Sequence, residues 1–155
     1  MQRLNIAILS YRSAQFGGGQ GVYVKDISYN LNQMGHKVDV ISGPPYPNLD
    51  SRINLIKLPG LNLFETFSFK DRLYKFFKKK NKTLNDCYEF ISVLFGGFPE
   101  LKTFGDRANK FLIENNQYDI VIDNQSLSYG MLEIQKRFPL IEIIHHPITY
   151  DFKYE

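Results

Sequence analysis

Short apolar runs alternate with stretches of helical period along this chain. Leu4–Ser10 (LNIAILS) is apolar almost throughout and ends in polar residues, which predicts a buried strand. From Val22 to Gly35 the period changes. Tyr23, Ile27, Leu31 and Met34 stand at i, i+4, i+8 and i+11, a single stripe facing a core, and Gly35 supplies a C-terminal stop. Lys37–Ser42 (KVDVIS) predicts a second strand, and GPPYP after it fits neither a helix nor a central strand. Ile53–Leu58 (INLIKL) alternates as a third strand, closed by Pro59–Gly60.

The signal is mixed from Leu61 to Lys82. Leu84, Cys87, Tyr88, Ile91, Leu94 and Phe95 then mark a helix halted by Gly96–Gly97. Pro99 suits the first turn of another helix, with Phe104, Ala108, Phe111 and Leu112 as its buried face. Tyr118–Asp123 (YDIVID) reads as a fourth strand. Asp123, Asn124 or Ser126 is placed to cap a helix carrying Leu127, Met131 and Ile134. Leu140–Ile144 is a fifth strand running into His145–His146–Pro147.

Apolar strands alternating with helices imply a doubly wound parallel sheet covered on both faces, a three-layer α/β/α fold. Right-handed crossovers favour the strand order 3-2-1-4-5. Ligands of such sheets bind beyond the strand carboxyl ends where the order reverses, here between strands 1 and 4. The glycine loop Gly17–Gly19, the pair Asp123–Asn124 and the pair His145–His146 all fall at strand carboxyl ends. The final TYDFKYE carries no closing element, which reads as a chain cut at a domain boundary.

At 155 residues the chain is long enough for one domain with a sizeable core. Its single cysteine, Cys87, excludes an internal disulfide, fits a reducing compartment, and reads as a packed core thiol. No apolar run reaches the ~20 residues that span a bilayer. The run Leu4–Leu9 contains Asn5 and is too short for a signal-peptide core. The expectation is a cytoplasmic protein, at most peripheral on the inner face of a membrane.

The net charge of +3 is unevenly placed. Between Lys70 and Lys82 lie seven cations and one anion, Asp71, a local +6; the rest of the chain holds 12 cations and 15 anions, a net of −3. An acidic remainder argues against a nucleic-acid partner. In FSFKDRLYKFFKKKNK, Phe69, Leu73, Phe76 and Phe77 fall at i, i+4, i+7 and i+8 on a helix, interleaved with cations. A basic, aromatic, amphipathic segment of this kind suits an anionic membrane surface, with Lys75, Phe76, Phe77, Lys78, Lys79 and Lys80 as the contact residues. The alternative is a solvated face over ordinary core aromatics.

The glycine loop fits neither common phosphate motif. Counted from Gly17, the third glycine of G-x-G-x-x-G is Val22; counted from Gly19, it is Val24. A P-loop requires Lys after its last glycine, but Val22 follows Gly21. What remains is backbone N–H groups at a helix N-terminus that suit an anion, or a tight turn that needs glycine alone. In a strand, His145 and His146 point to opposite faces, which weakens a two-histidine metal site. Each also fits a histidine satisfied at a strand end. Asp123 and Asn124 fit either a helix cap or a cleft contact, and His36, after Gly35, fits a dipole-complementing cap.

The segment FGGGQGVYVKDISYNLNQMGHKVDVISGPPYP resembles the opening of retaining glycosyltransferases of the GT-B fold, glycosyltransferase family 4. VIDNQSLSYG and IIHHPITYD resemble later landmarks of the same N-terminal domain. The resemblance covers nearly the whole chain and is weakest over Leu61–Lys82. It implies two Rossmann-like domains with the active site between them, residues 1–155 forming the N-terminal, acceptor-side domain. A C-terminal donor-binding domain would lie outside this chain, and the isolated domain would be inactive. By motif, Gly18 and Gly19, with Gln20 beside them, match the loop that approaches the donor diphosphate. His145 matches the strand-end histidine near the transferred sugar, and Asp123, Asn124 and His146 lie where cleft contacts are expected. The resemblance implies no catalytic metal and no cofactor; the partners are a nucleotide-sugar, an acceptor (a lipid-linked molecule or a glycan) and the second domain. The competing reading is a stand-alone, flavodoxin-like module that binds a nucleotide or another anion.

Overall fold

The computed structural model describes residues 2–14, 19–63 and 65–145. Its elements run β1 (Asn5–Ser10), α1 (Gly19–Gln33), β2 (Lys37–Ser42), β3 (Asn54–Lys57), α2 (Phe69–Lys78), α3 (Leu84–Leu94), α4 (Glu100–Glu114), β4 (Ile120–Asn124), α5 (Tyr129–Ile134) and β5 (Leu140–Ile143). The five strands form one parallel sheet of order β3-β2-β1-β4-β5, as the alternation of elements predicts.

Both faces of the sheet are covered, and strand alternation sorts the core into two layers. Ala7, Leu9, Ile41 and Val121 point to one face and pack with Phe104, Ala108 and Leu112 of α4 and Met131 and Ile134 of α5. Ile6, Ile8, Val40 and Ile122 point to the other and pack with Val24, Ile27 and Leu31 of α1. Burying each such aliphatic side chain stabilises the fold by roughly 1.5–3 kcal/mol, so the central strand β1 anchors both layers. Among the described residues no helix is long and apolar enough to cross a membrane.

Helix α1 keeps its predicted extent but turns a different face inward. Its fully buried residues are Gly21, Val24 and Ser28; Ile27 and Leu31 pack beside them, and Met34 is exposed. Small residues let this helix lie close to the sheet, so the buried stripe follows size rather than hydrophobicity. A Cβ on Gly21 would stand 2.5 Å from the Ala14 carbonyl oxygen, which makes glycine necessary at that crossing. The helix ends in a Schellman turn: Gly35 takes φ +93, its N–H donates to the Asn32 carbonyl, and the His36 N–H donates to the Leu31 carbonyl. His36 is not the cationic cap that its position suggests. It is buried, and its Nδ1 accepts a hydrogen bond from the Leu4 N–H at 3.2 Å, tying the turn to the start of β1.

Helix α3 also forms where its pattern predicts, with its polarity reversed. Asp86 and Glu89 are its buried residues, while Leu84, Tyr88, Ile91, Leu94 and Phe95 are exposed. Cys87 is half-buried. Asp86 completes a capping box with Thr83, accepting from the Thr83 N–H at 2.7 Å, and pairs with Lys79 at 2.6 Å. Burial works to raise the pKa of this carboxyl, but the hydrogen bond from Lys79, then those from Thr83, outweigh it and hold it below the usual range. Glu89 is 1% exposed and accepts from three donors: Thr103 Oγ1 at 2.6 Å, Arg107 at 2.8 Å and the Leu61 N–H at 2.8 Å. This network fastens α3 and the loop after β3 onto α4.

Candidate functional site

Parallel pairing places Leu9 of β1 opposite Asp123 of β4, so Ser10 and Asn124 end neighbouring strands where the strand order reverses. Both side chains share the α1 face, and both are fully buried. Asn124 Nδ2 donates to Ser10 Oγ at 3.3 Å, and Ser10 Oγ lies 2.5 Å from Ser13 Oγ. On the other side Asn124 Oδ1 stands 2.6 Å from His145 Nε2. A polar line thus runs Ser13–Ser10–Asn124–His145 across the carboxyl ends of β1 and β4, on the face that α1 covers.

The amide of Asn124 sets the protonation of the imidazole. With its Nδ2 spent on Ser10, Oδ1 faces His145 and can only accept, so Nε2 carries the hydrogen of that bond, which in a neutral ring leaves Nδ1 as the acceptor. Tyr23 of α1 packs edge-on against the imidazole, with centroids 4.8 Å apart at 77°. The His145 backbone N–H donates to Gln125 Oε1 at 2.9 Å. Held on three sides, the histidine presents Nδ1 as an acceptor for a hydroxyl or a similar donor.

The turn that follows β4 is strained. Gln125 and Leu127 adopt φ of 54° and 45°, a region that side-chain-bearing residues seldom enter, at roughly 1–3 kcal/mol each. Asp123 stabilises this turn. It points to the face opposite Asn124, is fully buried, accepts from the Ser126 N–H at 2.8 Å and the Leu127 N–H at 3.3 Å, and bonds to the Ser126 hydroxyl. Helix α5 is instead preceded at its N-cap by Ser128, which makes no side-chain cap bond. Of the two residues expected at the cleft from this strand, Asn124 lines the polar site and Asp123 holds the turn beneath it.

Glu142 of β5 lies opposite Asp123 in the strand register. The residue is exposed at the sheet edge, but partial desolvation of its carboxyl, a hydrogen bond with Asp123 and the charge of that carboxylate raise its pKa to about 8.

Helix α1 begins at Gly19, whose Cα has open space before it, with Gln20 half-exposed beside it. The first N–H groups of an α-helix have no intrahelical acceptor and favour negative charge, and in this first turn Gly21 lies against Ser13, one end of the polar line. Gly17, Gly18 and His146 lie outside the described residues, so three of the residues singled out from the sequence have no structural account. The described residues contain no group of three or more His, Cys, Asp or Glu that could hold a metal ion.

Sequence reasoning did not single out Ser10, Ser13, Tyr23 or Gln125 as site residues. For Ser10 a signal existed: a polar residue ends an otherwise apolar central strand at the switch point. The contacts of Tyr23 and Gln125 depend on how α1 and the turn after β4 meet His145, which no local pattern encodes.

The basic segment divides into two groups. Lys75 donates to the Asn62 carbonyl at 2.7 Å, Lys79 pairs with Asp86, and Phe76 stacks on Phe90 at 4.5 Å, so these three belong to the packing of α2 on α3 and the preceding loop. Phe77, Lys78 and Lys80 remain exposed.

No family model matches the chain. A curated relative, the MMP alpha-(1->4)-mannosyltransferase of Mycolicibacterium hassiacum, is 45% identical over 156 residues. The match takes in 98% of this chain and 37% of that protein, so the chain spans little more than a third of its relative's length. Along nearly its whole length, then, the chain is similar to part of a mannosyltransferase, which agrees with the glycosyltransferase resemblance of its glycine loop and strand-end motifs.

Proposed function

We propose that this chain is the acceptor-side domain of an enzyme that moves a mannosyl group from a nucleotide-activated donor to an acceptor hydroxyl, with retention at the anomeric carbon. The observation that carries the reading is the 45% identity to a mannosyltransferase over 98% of the chain. The polar line at the switch point supports it, because such a line lies where sheets of this kind bind ligands.

In this reading the C1–oxygen bond to the diphosphate breaks and a bond from C1 to the acceptor oxygen forms. The proton of the acceptor hydroxyl leaves with the diphosphate. The N–H groups at the start of α1, at Gly19 and Gln20, face the charge that grows on the departing diphosphate, the kind of fixed donor array that stabilises developing charge. His145 accepts a hydrogen bond at Nδ1 from a hydroxyl of the transferred sugar and fixes its orientation, while Asn124 fixes the histidine. A donor-binding domain supplies the other wall of the cleft, and the 155-residue chain alone does not turn over. The cations of α2 bring the domain to an anionic membrane surface.

The test is to incubate the full-length protein with nucleotide-activated mannose and mannoside acceptors and identify the product by mass spectrometry and linkage analysis. A new α-(1→4)-linked mannosyl unit supports the proposal. If the full-length protein transfers no sugar while the 155-residue chain binds nucleotides tightly by itself, the stand-alone binding module is the better reading.

A further inference from the structure

Helix α3 turns its apolar face outward. Leu84, Tyr88, Ile91 and Phe95 follow one another at i, i+4, i+7 and i+11, and two of them, Leu84 at 89% and Phe95 at 86%, are almost fully exposed. Its inward face carries Asp86 and Glu89, both satisfied by partners from α2, α4 and the connecting loops. The outward face is therefore not a mispacked core stripe, since the inward one is already bonded. An apolar helical stripe left in water costs stability and marks an interaction surface.

Beside it lies the cationic helix. Helix α2 packs on α3 through the stacked rings of Phe76 and Phe90. Its own outward side presents Lys70, Tyr74, Phe77 and Lys78, with Lys80 just beyond, and Lys78 Nζ sits 5.3 Å from the Tyr74 ring centre. None of the ion pairs among the described residues involves Lys70, Lys78 or Lys80.

We infer that α2 and α3 together form a docking face for an anionic lipid bilayer, in which α2 supplies headgroup contacts and α3 supplies the side chains that enter the acyl boundary. The inference rests on the electrostatic reading of α2 given above and adds the inserting element to it. Charge selects the occupant. A second copy docked on this face through a two-fold axis would bring together two cationic patches, each presenting the exposed Lys70, Lys78 and Lys80, a like-charge juxtaposition that opposes association. A bilayer with acidic headgroups satisfies both parts, since lysines reach headgroups while Phe and Leu bury at the boundary.

The 155 residues contain no tryptophan, and in the full-length protein the emission of each variant is read as its difference from the parent, which isolates the introduced indole. In the full-length protein we would compare Phe95→Trp and Leu84→Trp with Tyr129→Trp, an exposed position on α5. The probes are phosphatidylcholine vesicles with and without about a third phosphatidylglycerol, the membrane arm also carrying brominated acyl chains.

Expected are a blue shift and bromine quenching at Phe95→Trp and Leu84→Trp on the anionic vesicles, and neither at Tyr129→Trp. Neutralising Lys78 and Lys80 to Gln should weaken vesicle binding by about fivefold per charge. Binding that responds to those two lysines without quenching on α3 overturns the insertion and leaves the electrostatic reading of α2 standing. Absence of binding to anionic vesicles overturns both. A blue shift that appears with rising protein concentration, without vesicles, assigns the face to a second copy and overturns the proposal.

Discussion

Asn124 Oδ1 stands 2.6 Å from Nε2 of His145, and the amide nitrogen of the same residue reaches Ser10 Oγ at 3.3 Å. One side chain thereby joins the central strand of the sheet to the residue beyond its last described strand. Because the amide is oriented by Ser10, it dictates which imidazole nitrogen is protonated. In the native protein, nitrogen-detected NMR should show His145 as the Nε2–H tautomer. Asn124→Ala should leave a mixture of tautomers and lower transfer by up to about 100-fold, the scale of a misplaced contact, with the fold intact. An unchanged tautomer in the variant would show that Asn124 does not position the ring.

Gly21 and Ala14 meet where α1 crosses the loop after β1. A methyl group at position 21 would lie 2.5 Å from the Ala14 carbonyl oxygen and 3.2 Å from the Ser13 carbonyl carbon, both rigid backbone. Gly21→Ala should cost about 1–3 kcal/mol of stability in urea unfolding, as overpacked sites do. It should also weaken donor binding by shifting Ser13. A variant as stable as the parent would mean that the loop yields freely.

Glu89 is buried with three donors converging on its carboxylate. Replacing it with Ala leaves Arg107 and the Leu61 N–H without their acceptor. We expect a loss of about 3 kcal/mol or more, read from denaturant midpoints, since breaking one side of a buried pair strands the other. Thr103→Ala removes only one of the donors and should cost much less, about 1 kcal/mol.

Glu142 introduces a pH dependence of definite sign. Its folded pKa is raised from 4.5 to about 8, with partial desolvation as the largest cause. Below pH 4.5 the carboxyl is protonated in both the folded and the unfolded chain, and its contribution is fully present. Between pH 4.5 and about 8 the unfolded chain releases the proton while the folded chain keeps it, so stability falls as pH rises. Glu142→Gln should remove that part of the slope. Parallel stability curves for the parent and the variant across this window would contradict the assignment.

The fold was legible in the chain because β1, β2 and β4 are apolar on both faces and the stretches between them change period. Which faces the helices would turn inward was much less so. Hydrophobicity assigns Met34 to the core and Gly21 and Ser28 to solvent, whereas close approach of α1 to the sheet reverses this. In α3 the acids Asp86 and Glu89 read as a solvent face, because their partners Lys79, Thr103 and Arg107 come from other elements. The site was legible at strand ends: Asn124 and His145 meet there as their positions suggest. Asp123, one residue away from Asn124, falls on the opposite face by strand alternation and is taken up by the turn. Separating the two from sequence required the register Leu9–Asp123, which is a property of the pairing and not of either strand.

The most direct test of the account is the turnover of His145→Ala in the full-length protein, assayed with nucleotide-activated mannose and compared with the parent at matched secondary structure. The account predicts a fall in kcat/KM of about 100-fold or more with the fold retained, because in the proposed reading the ring contacts the transferred sugar. Leaving the buried Asn124 Oδ1 without its partner should cost only about 1–3 kcal/mol of stability. Turnover within about twofold of the parent would contradict it and reduce His145 to a strand-end residue bonded to Asn124.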